Sequence, residues 1–248
     1  MLSKTQIKYI QSLFHKKFRE QYQEYLIEGS KMLLEAIASQ QKEIRTVYAL
    51  SDWAEQHADL TKTLGNEIVQ VSEGEMRKIS SLSNPGPVLA IMGMRIIPEV
   101  ESFQGITLLL DGIQDPGNLG TIIRNADWFG VRNIICGEGC VDCYNPKVIQ
   151  STMGSLFRTN IMYEDLSLFL DRQPGIPVMA ASLEGTVLKD VKRTNDVFLV
   201  IGNESRGIRQ HILQRATVKV RIPGGGETES LNAAVATGIL LYWLTVGS

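Results

Sequence analysis

Ile106-Thr107-Leu108-Leu109-Leu110-Asp111-Gly112-Ile113-Gln114-Asp115-Pro116-Gly117-Asn118-Leu119-Gly120 is the stretch on which the architecture turns. Ile106 to Leu110 carries no polar alternation, so it reads as a strand covered on both faces, the mark of a parallel sheet. Glycines and small polar residues follow at once, where open α/β sheets hold their ligands at the carboxyl ends of strands. A glycine there lets backbone approach a ligand with no Cβ in the way, and the next helix opens with unpaired N–H groups. Such a loop suits a polar or anionic ligand.

The same pattern recurs downstream. Val131 to Cys136, Val178-Met179-Ala180-Ala181, Val197 to Ile201 and Val218-Lys219-Val220 read as further strands, which predicts an α/β fold on a mainly parallel sheet. Asn145-Pro146 supplies an N-cap with proline at the first helical position, and Gly154 stands where that helix would end. A last helix, near Glu229 to Leu244, puts Leu231, Val235, Gly238 and Leu241 or Tyr242 on one stripe.

Upstream lies a smaller alternating α/β unit. Ser3-Lys4-Thr5-Gln6 has the capping-box form, and Ile7, Ile10, Leu13 and Phe14 follow at helical spacing. Tyr25 to Glu28, Thr46 to Leu50, Ile68 to Val71 and Val88 to Met92 read as strands, with a helix from Ser30 to Ala38 and a second capping box at Ser72 to Glu75. Gly93 to Gln104 has weak periodicity and contains Pro98 and two acids, which marks a linker. The expected division is therefore 1–93, a linker at 94–104, and 105–248.

Bulk properties bound the function. A chain of 248 residues, 44% hydrophobic, supplies a real core and suits two domains. Its net charge of −2 excludes holding nucleic acid by bulk charge, so any such contact must be local. Lys4, Lys8, Lys16, Lys17 and Arg19 precede the first acid, and that cluster is either a nucleic-acid contact or a solvated helix face. No apolar run is long enough to cross a bilayer, and the first residues lead into a charged helix without a signal-peptide core, so a soluble cytoplasmic protein is expected. Cys136, Cys140 and Cys143 are an odd number without a second Cys pair or adjacent His. They read as reduced structural thiols, and no metal is expected.

Two more segments share the glycine-rich character of the first: Ile201-Gly202-Asn203-Glu204-Ser205-Arg206-Gly207, and Ile222-Pro223-Gly224-Gly225-Gly226 continuing through Ser230-Leu231-Asn232 to Ala236. Gly117 and Gly120 give only G-x-x-G, so the dinucleotide fingerprint is missing, and there is no Walker sequence. Taken singly, each segment is as readily a turn as a site. Arg124, about one turn into the first helix, is either a ligand group beside Asn118 or a solvated side chain; Glu204 is either a site acid or a surface one. Ser230 and Asn232 have a bland reading as caps of the last helix.

Taken together and in order, the segments resemble the SpoU/TrmH family of SPOUT methyltransferases. Asp115-Pro116-Gly117-Asn118-Leu119-Gly120 through Arg124, Ala126 and Gly130 is similar to its first motif, Ile201-Gly202-Asn203-Glu204 with Gly207 to its second, and Ile222-Pro223 through Ser230-Leu231-Asn232 to its third. Asn145-Pro146-Lys147-Val148 and Gly154-Ser155-Leu156-Phe157 also resemble family positions, and the likeness spans about Ile106 to Leu244. Lys17 through Arg19 and Leu26-Ile27-Glu28-Gly29 are similar to the RNA-binding domain, of ribosomal-protein-like fold, that often precedes the catalytic one. The chain departs from the pattern at Gly224-Gly225-Gly226, where a bulky residue usually follows the proline, and at Ala233-Ala234, where a Val-Ser pair is usual; both bear on loop stiffness and cofactor affinity.

The resemblance implies a parallel α/β domain with a deep trefoil knot, a homodimer whose active site draws on both subunits, and methyl transfer from S-adenosylmethionine to a ribose 2′-hydroxyl of structured RNA, ribosomal by preference. It assigns catalytic roles to Arg124, Asn118, Glu204, Ser230 and Asn232. Cofactor contacts fall on Gly202, Ile222 and Leu231, with Ser182 and Leu183, and RNA contacts on Lys16, Lys17 and Arg19. Arg124 is the family's activator of the hydroxyl, although a guanidinium is a poor base and better suited to steadying an alkoxide. Other readings are a transfer-RNA 2′-O-methyltransferase, a binding module that kept the fold without turnover, and a small-molecule enzyme using the glycine loops. The five polar residues retained together speak against the second, and the basic N-terminal region against the third.

Overall fold

The structure, a computed structural model, describes residues 1–40, 43–97 and 102–246. Of the expected linker, Pro98 and the acids Glu99 and Glu101 lie outside the described residues. The chain divides into two units, Met1–Ile96 with Tyr144–Phe157, and Ile97–Cys143 with Arg158–Ser248.

The first unit runs α1 (Lys4–Ser12), α2 (Lys16–Tyr22), β1 (Glu24–Glu28), α3 (Ser30–Ala38), β2 (Ile44–Ala49), α4 (Ser51–Gln56), α5 (Ala58–Leu64), β3 (Ile68–Gln70), α6 (Glu73–Ile79) and β4 (Val88–Gly93). Among the described residues these strands form one sheet in the order β1-β4-β2-β3, with β4 antiparallel to both neighbours and β3 parallel to β2. Both expected capping boxes form, Ser3 with Gln6 on α1 and Ser72 with Glu75 on α6. They fix the starts of two helices whose apolar faces, through Ile10, Leu13, Met76 and Ile79, close over Leu26, Leu89 and Ile91 of the sheet. Each such side chain removed from water contributes about 1.5–3 kcal/mol.

The second unit begins with β5 (Ile106–Asp111), α7 (Pro116–Trp128) and β6 (Asn133–Cys136). The segment that belongs to the first unit carries α8 (Pro146–Thr152), after which come β7 (Asn160–Tyr163), α9 (Leu166–Asp171), β8 (Val178–Val187), β9 (Val197–Gly202), α10 (Gln210–Leu213), β10 (Val218–Arg221) and α11 (Ala233–Thr245). Every pairing in this six-stranded sheet is parallel, in the order β10-β8-β9-β5-β6-β7. Strand order reverses between β5 and β9, because β5 leads through α7 to β6 on one side while β9 lies on the other. In open α/β sheets the ligand crevice opens at such a switch point.

One face of this sheet buries Leu109, Ile135, Ala180 and Val200 against Phe169 and Leu170 of α9 and Ile212 of α10. Phe103, Phe169 and Phe198 meet edge to face there, with centroids 5.1–5.8 Å apart. Alternate residues such as Leu108, Leu110 and Leu199 point the other way and are equally buried. α7 and α11 pack on each other, where Asn125 Nδ2 donates to the Ala234 carbonyl at 2.9 Å.

The sequence reading places all of 105–248 in one domain, whereas Tyr144–Phe157 groups with the first unit. Its helix α8 begins as expected, Asn145 accepting from Lys147 N–H at 2.9 Å ahead of Pro146. It ends at Met153 and Gly154, whose φ values of 52° and 96° are left-handed. A Cβ on Gly154 would lie 2.8 Å from the Glu35 side chain. Tyr144 lies against Tyr25 at 4.5 Å between centroids, and Val148, Ile149 and Leu156 are buried. An apolar stripe announces that it will be buried but not against which core.

Candidate active site

The site is built at the carboxyl ends of β5, β9 and β8. Asp115 caps α7, its carboxylate accepting from Asn118 N–H at 2.8 Å with Pro116 at the first helical turn. That cap holds Asn118 in the first turn of α7. The Asn118 amide donates from Nδ2 to Glu204, in the loop after β9, while its Oδ1 accepts from Asn232 Nδ2 at 2.8 Å. Asn232 is itself the N-cap of α11, its Oδ1 taking the N–H groups of Ala234 and Val235 at 2.9 and 3.3 Å. The capping and the site readings of Asn232 therefore both hold, on different atoms of one side chain. One amide, that of Asn118, joins all three glycine-rich segments.

Beside this relay opens a cleft of about 1060 Å³. Gly202, Glu204, Ile222, Ser230 and Leu231 line it, together with Ser182 and Leu183. Ser182 and Leu183 reach it because β8 leaves its ladder: the partners of β10 jump from Ala180, opposite Lys219, to Thr186, opposite Val220. At the closing end of that excursion a Cβ on Gly185 would lie 2.6 Å from the backbone of Lys219 and Val220. Only glycine fits there. Gly202 is explained in the same way, and differently from the sequence reading, which made it a glycine to admit a ligand. A Cβ on it would lie 2.4–2.6 Å from Gly207 and Ile208 backbone, which returns across the strand end. Gly224 and Gly226 meet no such crowding, since a Cβ on either would find nothing within 4 Å.

The side chains of Arg124 and Ser230 are exposed and have no hydrogen-bond partner among the described residues. The structure thus ties Asn118, Glu204 and Asn232 together directly, places Glu204 and Ser230 in the cleft, and leaves Arg124 free on the exposed face of α7. It also contains a pair that no sequence motif announces. Asp111, the last residue of β5 and only 1% exposed, accepts from Arg209 twice at 2.7 Å, from the backbone N–H and from Nε. Arg209 Nη1 reaches Glu138 at 2.9 Å. Burial opposes the guanidinium's charge, but Asp111 and Glu138 outweigh it and raise its pKa. The available signal was an acid closing an apolar central strand, where it cannot stay solvated without a partner.

Cys136, Cys140 and Cys143 form no disulfide. Cys140 Sγ donates to the Leu110 carbonyl and accepts from Ile113 N–H. A bond from the Cys136 thiol, against the effect of burial and with help from the Ile113 and Gly112 N–H groups, lowers the Cys140 pKa. That same bond and complete burial push Cys136 up. Among the described residues no group of three or more His, Cys, Asp or Glu side chains is arranged to hold a metal ion.

One expected RNA contact is corrected. Lys16 and Lys17 are exposed, Lys16 pairing with Glu20 at 3.5 Å, but Arg19 is only 2% exposed. Its Nη1 donates to the carbonyls of Leu13 and Phe14 at 3.0 and 2.9 Å, satisfying acceptors at the end of α1 that no helical N–H can reach. Arg19 belongs to the core of the first unit.

Residues 105–242 match the model of the SpoU rRNA methylase family. The chain belongs to that family. Residues 4–90 match an MRM3-like substrate-binding domain. Among relatives of this SpoU methylase, the 23S rRNA (guanosine(2553)-2'-O)-methyltransferase RlmP of Bacillus subtilis is 32% identical over 94% of this chain and 92% of its own length. A structure from Porphyromonas gingivalis, described as an RNA methyltransferase of the TrmH family, superposes over 100% of both chains with a TM-score of 0.87 and 35% identity. The AdoMet-bound rRNA methyltransferase of Sinorhizobium meliloti covers 98% of this chain and 95% of its own, at 31% identity and a TM-score of 0.86. Among the described residues, no helix of this SpoU methylase is long and apolar enough to cross a membrane.

Proposed function

We propose that this SpoU methylase moves a methyl group from S-adenosylmethionine to a ribose 2′-hydroxyl of ribosomal RNA. The observation that carries the reading is the Asn118 amide, which holds Glu204 and Asn232 at the edge of the cleft while Arg124 and Ser230 stay unpaired. Ribosomal RNA is favoured over transfer RNA because relatives matching nearly the whole chain, such as RlmP, act on 23S rRNA by name.

The cleft fits the cofactor. Leu183 and Leu231 offer exposed apolar surface to an adenine ring, Gly224 and Gly226 leave room for close approach, and Glu204 and Glu229 bring negative charge toward a sulfonium and an ammonium. Gly202, Ile222 and Leu231, with Ser182 and Leu183, are the residues that would hold it. Bound S-adenosylmethionine supplies a methyl group made electrophilic by its sulfonium. Asn118 and Asn232 have both ends of their amides engaged within the protein, so their part is to fix the loops. Glu204 has a second carboxylate oxygen, and Ser230 a hydroxyl, available to orient the ribose. Arg124, permanently protonated, steadies the negative charge that develops on the attacking oxygen and holds the adjoining phosphate.

Two further features belong to the proposal. The chain acts as a homodimer: Trp128 of α7, 84% exposed, and Val235, Ile239 and Tyr242 of α11, with Val246 just past its end, present apolar surface of the kind a second copy covers. Trp128 shares the helix face of Arg124, four residues away, so the partner would lie beside the site. Sedimentation of a Trp128→Asp, Tyr242→Asp variant should show a monomer, and an unchanged dimer would overturn this interface. The segment 222–232, which carries the chain from β10 at the sheet edge back to α11 against α7 and β9, threads the preceding loop to form a trefoil knot. Stretching the unfolded chain in an optical trap should then stop short of the roughly 3.3–3.6 Å per residue of a free chain. Full extension would exclude a knot.

The protein works in the cytoplasm, and recovery with membranes on cell fractionation would argue otherwise. The decisive experiment maps ribose methylation on RNA from cells lacking the gene. A 23S rRNA nucleotide should lose its 2′-O-methyl group and regain it when the purified protein and S-adenosylmethionine are added; loss confined to transfer RNA would replace the substrate. Reversing Lys16 and Lys17 to Glu should weaken RNA binding at low salt, with the deficit shrinking as salt rises. Binding that ignores the reversal would move the contact elsewhere.

A further inference from the structure

Glu204 sits in a short loop, and its place opposite Asn118 depends on what holds that loop. Asn203 and Gly207 close it with two backbone bonds, Asn203 N–H to the Gly207 carbonyl at 3.1 Å and the reverse at 2.9 Å. Asn203 Oδ1 gathers the N–H groups of Ser205 and Arg206 at 3.0 and 3.1 Å. These bonds shape the loop without saying where it stands. Two anchors tie it to the end of β5: Asn203 Nδ2 donates to the carbonyl of Gly112, just past the strand, at 2.8 Å, and Arg209 grips the Asp111 carboxylate through both its backbone N–H and its Nε. The anchors flank Glu204 in sequence and land on consecutive residues at the end of the strand that leads to Asn118.

We propose that Asp111 and Arg209 form a positioning pair that sets the Glu204 carboxylate against Asn118 for methyl transfer. Neither touches the cleft relay, so their effect on the reaction passes through the loop between them. Position and charge are both specified. Asp111 is buried and finds its countercharge in Arg209, whose Nε and backbone N–H reach the two carboxylate oxygens separately. Lysine has no planar fork with which to repeat that grip while also meeting Glu138. Asp111 also pairs with Gly202 in the sheet, and Gly202 is pressed against the backbone of Gly207 and Ile208, so a shift at Arg209 has no slack to disappear into.

This inference rests on Glu204 belonging to the active site, and the test separates the two. Arg209→Lys, Asp111→Asn and Glu204→Gln are made singly, and Arg209→Lys is combined with Glu204→Gln. Hydrogen exchange of the 203–209 amides, measured on protein without RNA, should accelerate at least tenfold in Arg209→Lys and Asp111→Asn, with amides of β5 and α7 unchanged. In turnover, kcat should fall at least tenfold with KM for RNA within about twofold, and Arg209→Lys should cost little more once Glu204 is already Gln, since effects of coupled residues do not add. If Arg209→Lys slows turnover equally in both backgrounds, or leaves loop exchange as in the parent, the pair does not act through Glu204. If loop exchange rises as expected but Glu204→Gln keeps full activity, the positioning stands and the assignment of Glu204 to the site falls. Should Asp111→Asn fail to fold, Arg209→Lys decides the matter alone.

Discussion

Arg19 in the first unit and Arg124 in the second are the same residue type, each on a helix, put to opposite uses. Arg19 is buried and satisfies the carbonyls that end α1, whereas Arg124 stands in solvent without a partner among the described residues. The carboxylates repeat the contrast. Glu28, in the first unit, is buried and accepts from Ser80 and twice from Ser81. Glu204, in the second, takes one bond from Asn118 and turns to an open cleft. A polar group whose bonds the fold completes is architecture, and one that the fold leaves open to solvent or to a cleft keeps bonding capacity that another molecule can use.

The contrast is broken or sharpened by exchanging the expectations. Arg124→Ala should lower methyl transfer by roughly 10²–10³-fold, the range for losing a donor to developing charge. Its stability should stay within about 0.5 kcal/mol of the parent, as for most surface changes. Turnover assays and urea unfolding measure the two quantities. Activity near the parent's would return Arg124 to the solvated surface, and a large loss of stability would erase its difference from Arg19.

Arg19→Met should do the reverse. It orphans the buried Leu13 carbonyl, at a cost on the order of 1–3 kcal/mol, and leaves the half-buried Phe14 carbonyl to water. Turnover per folded molecule at saturating RNA should be close to the parent's. A variant as stable as the parent in urea would mean that water replaces the guanidinium.

The smallest effect concerns a fully engaged carboxylate of the first unit. The N–H of Ser72, the N–H of Leu2 and the Ser72 hydroxyl hold Glu75 down to about 2. A lowered folded-state pKa means that the charge contributes stability in full above the ordinary value of 4.5, and that this contribution is lost as pH falls through about 2. Glu75→Gln should therefore flatten the fall of Tm across that acidic window and leave its slope near neutrality alone. An unchanged acid slope would show that other carboxylates carry it.

Much of this was legible in the chain. The capping boxes at Ser3 and Ser72, the cap at Asn145-Pro146 and the apolar strands that make the parallel sheet are local signals, and local signals survive folding. β7 gives no strand signal in the sequence, because Asn160-Ile161-Met162-Tyr163 is short, begins on a polar residue and lies at a sheet edge, so it lacks the unbroken apolar run of its neighbours. The expected last helix began too early, at Glu229, because Asn232 ends the loop as a cap. The site motifs were readable as loops with candidate side chains, but nothing in their spacing tells that one amide joins all three. Arg19 groups with its basic neighbours in the sequence because charge is visible there and an unsatisfied carbonyl is not. Asp111 and Arg209 stand 98 positions apart, and only the crossover between β5 and β9 makes them a pair.

The Asn118 amide also gives the site a logic of coincidence. Its donor end waits for a loop that follows β9 and its acceptor end for the cap of α11, so a chain synthesised only as far as β10 has two corners of a triangle and no third. The relay closes when the last helix docks, and it closes for all three loops at once.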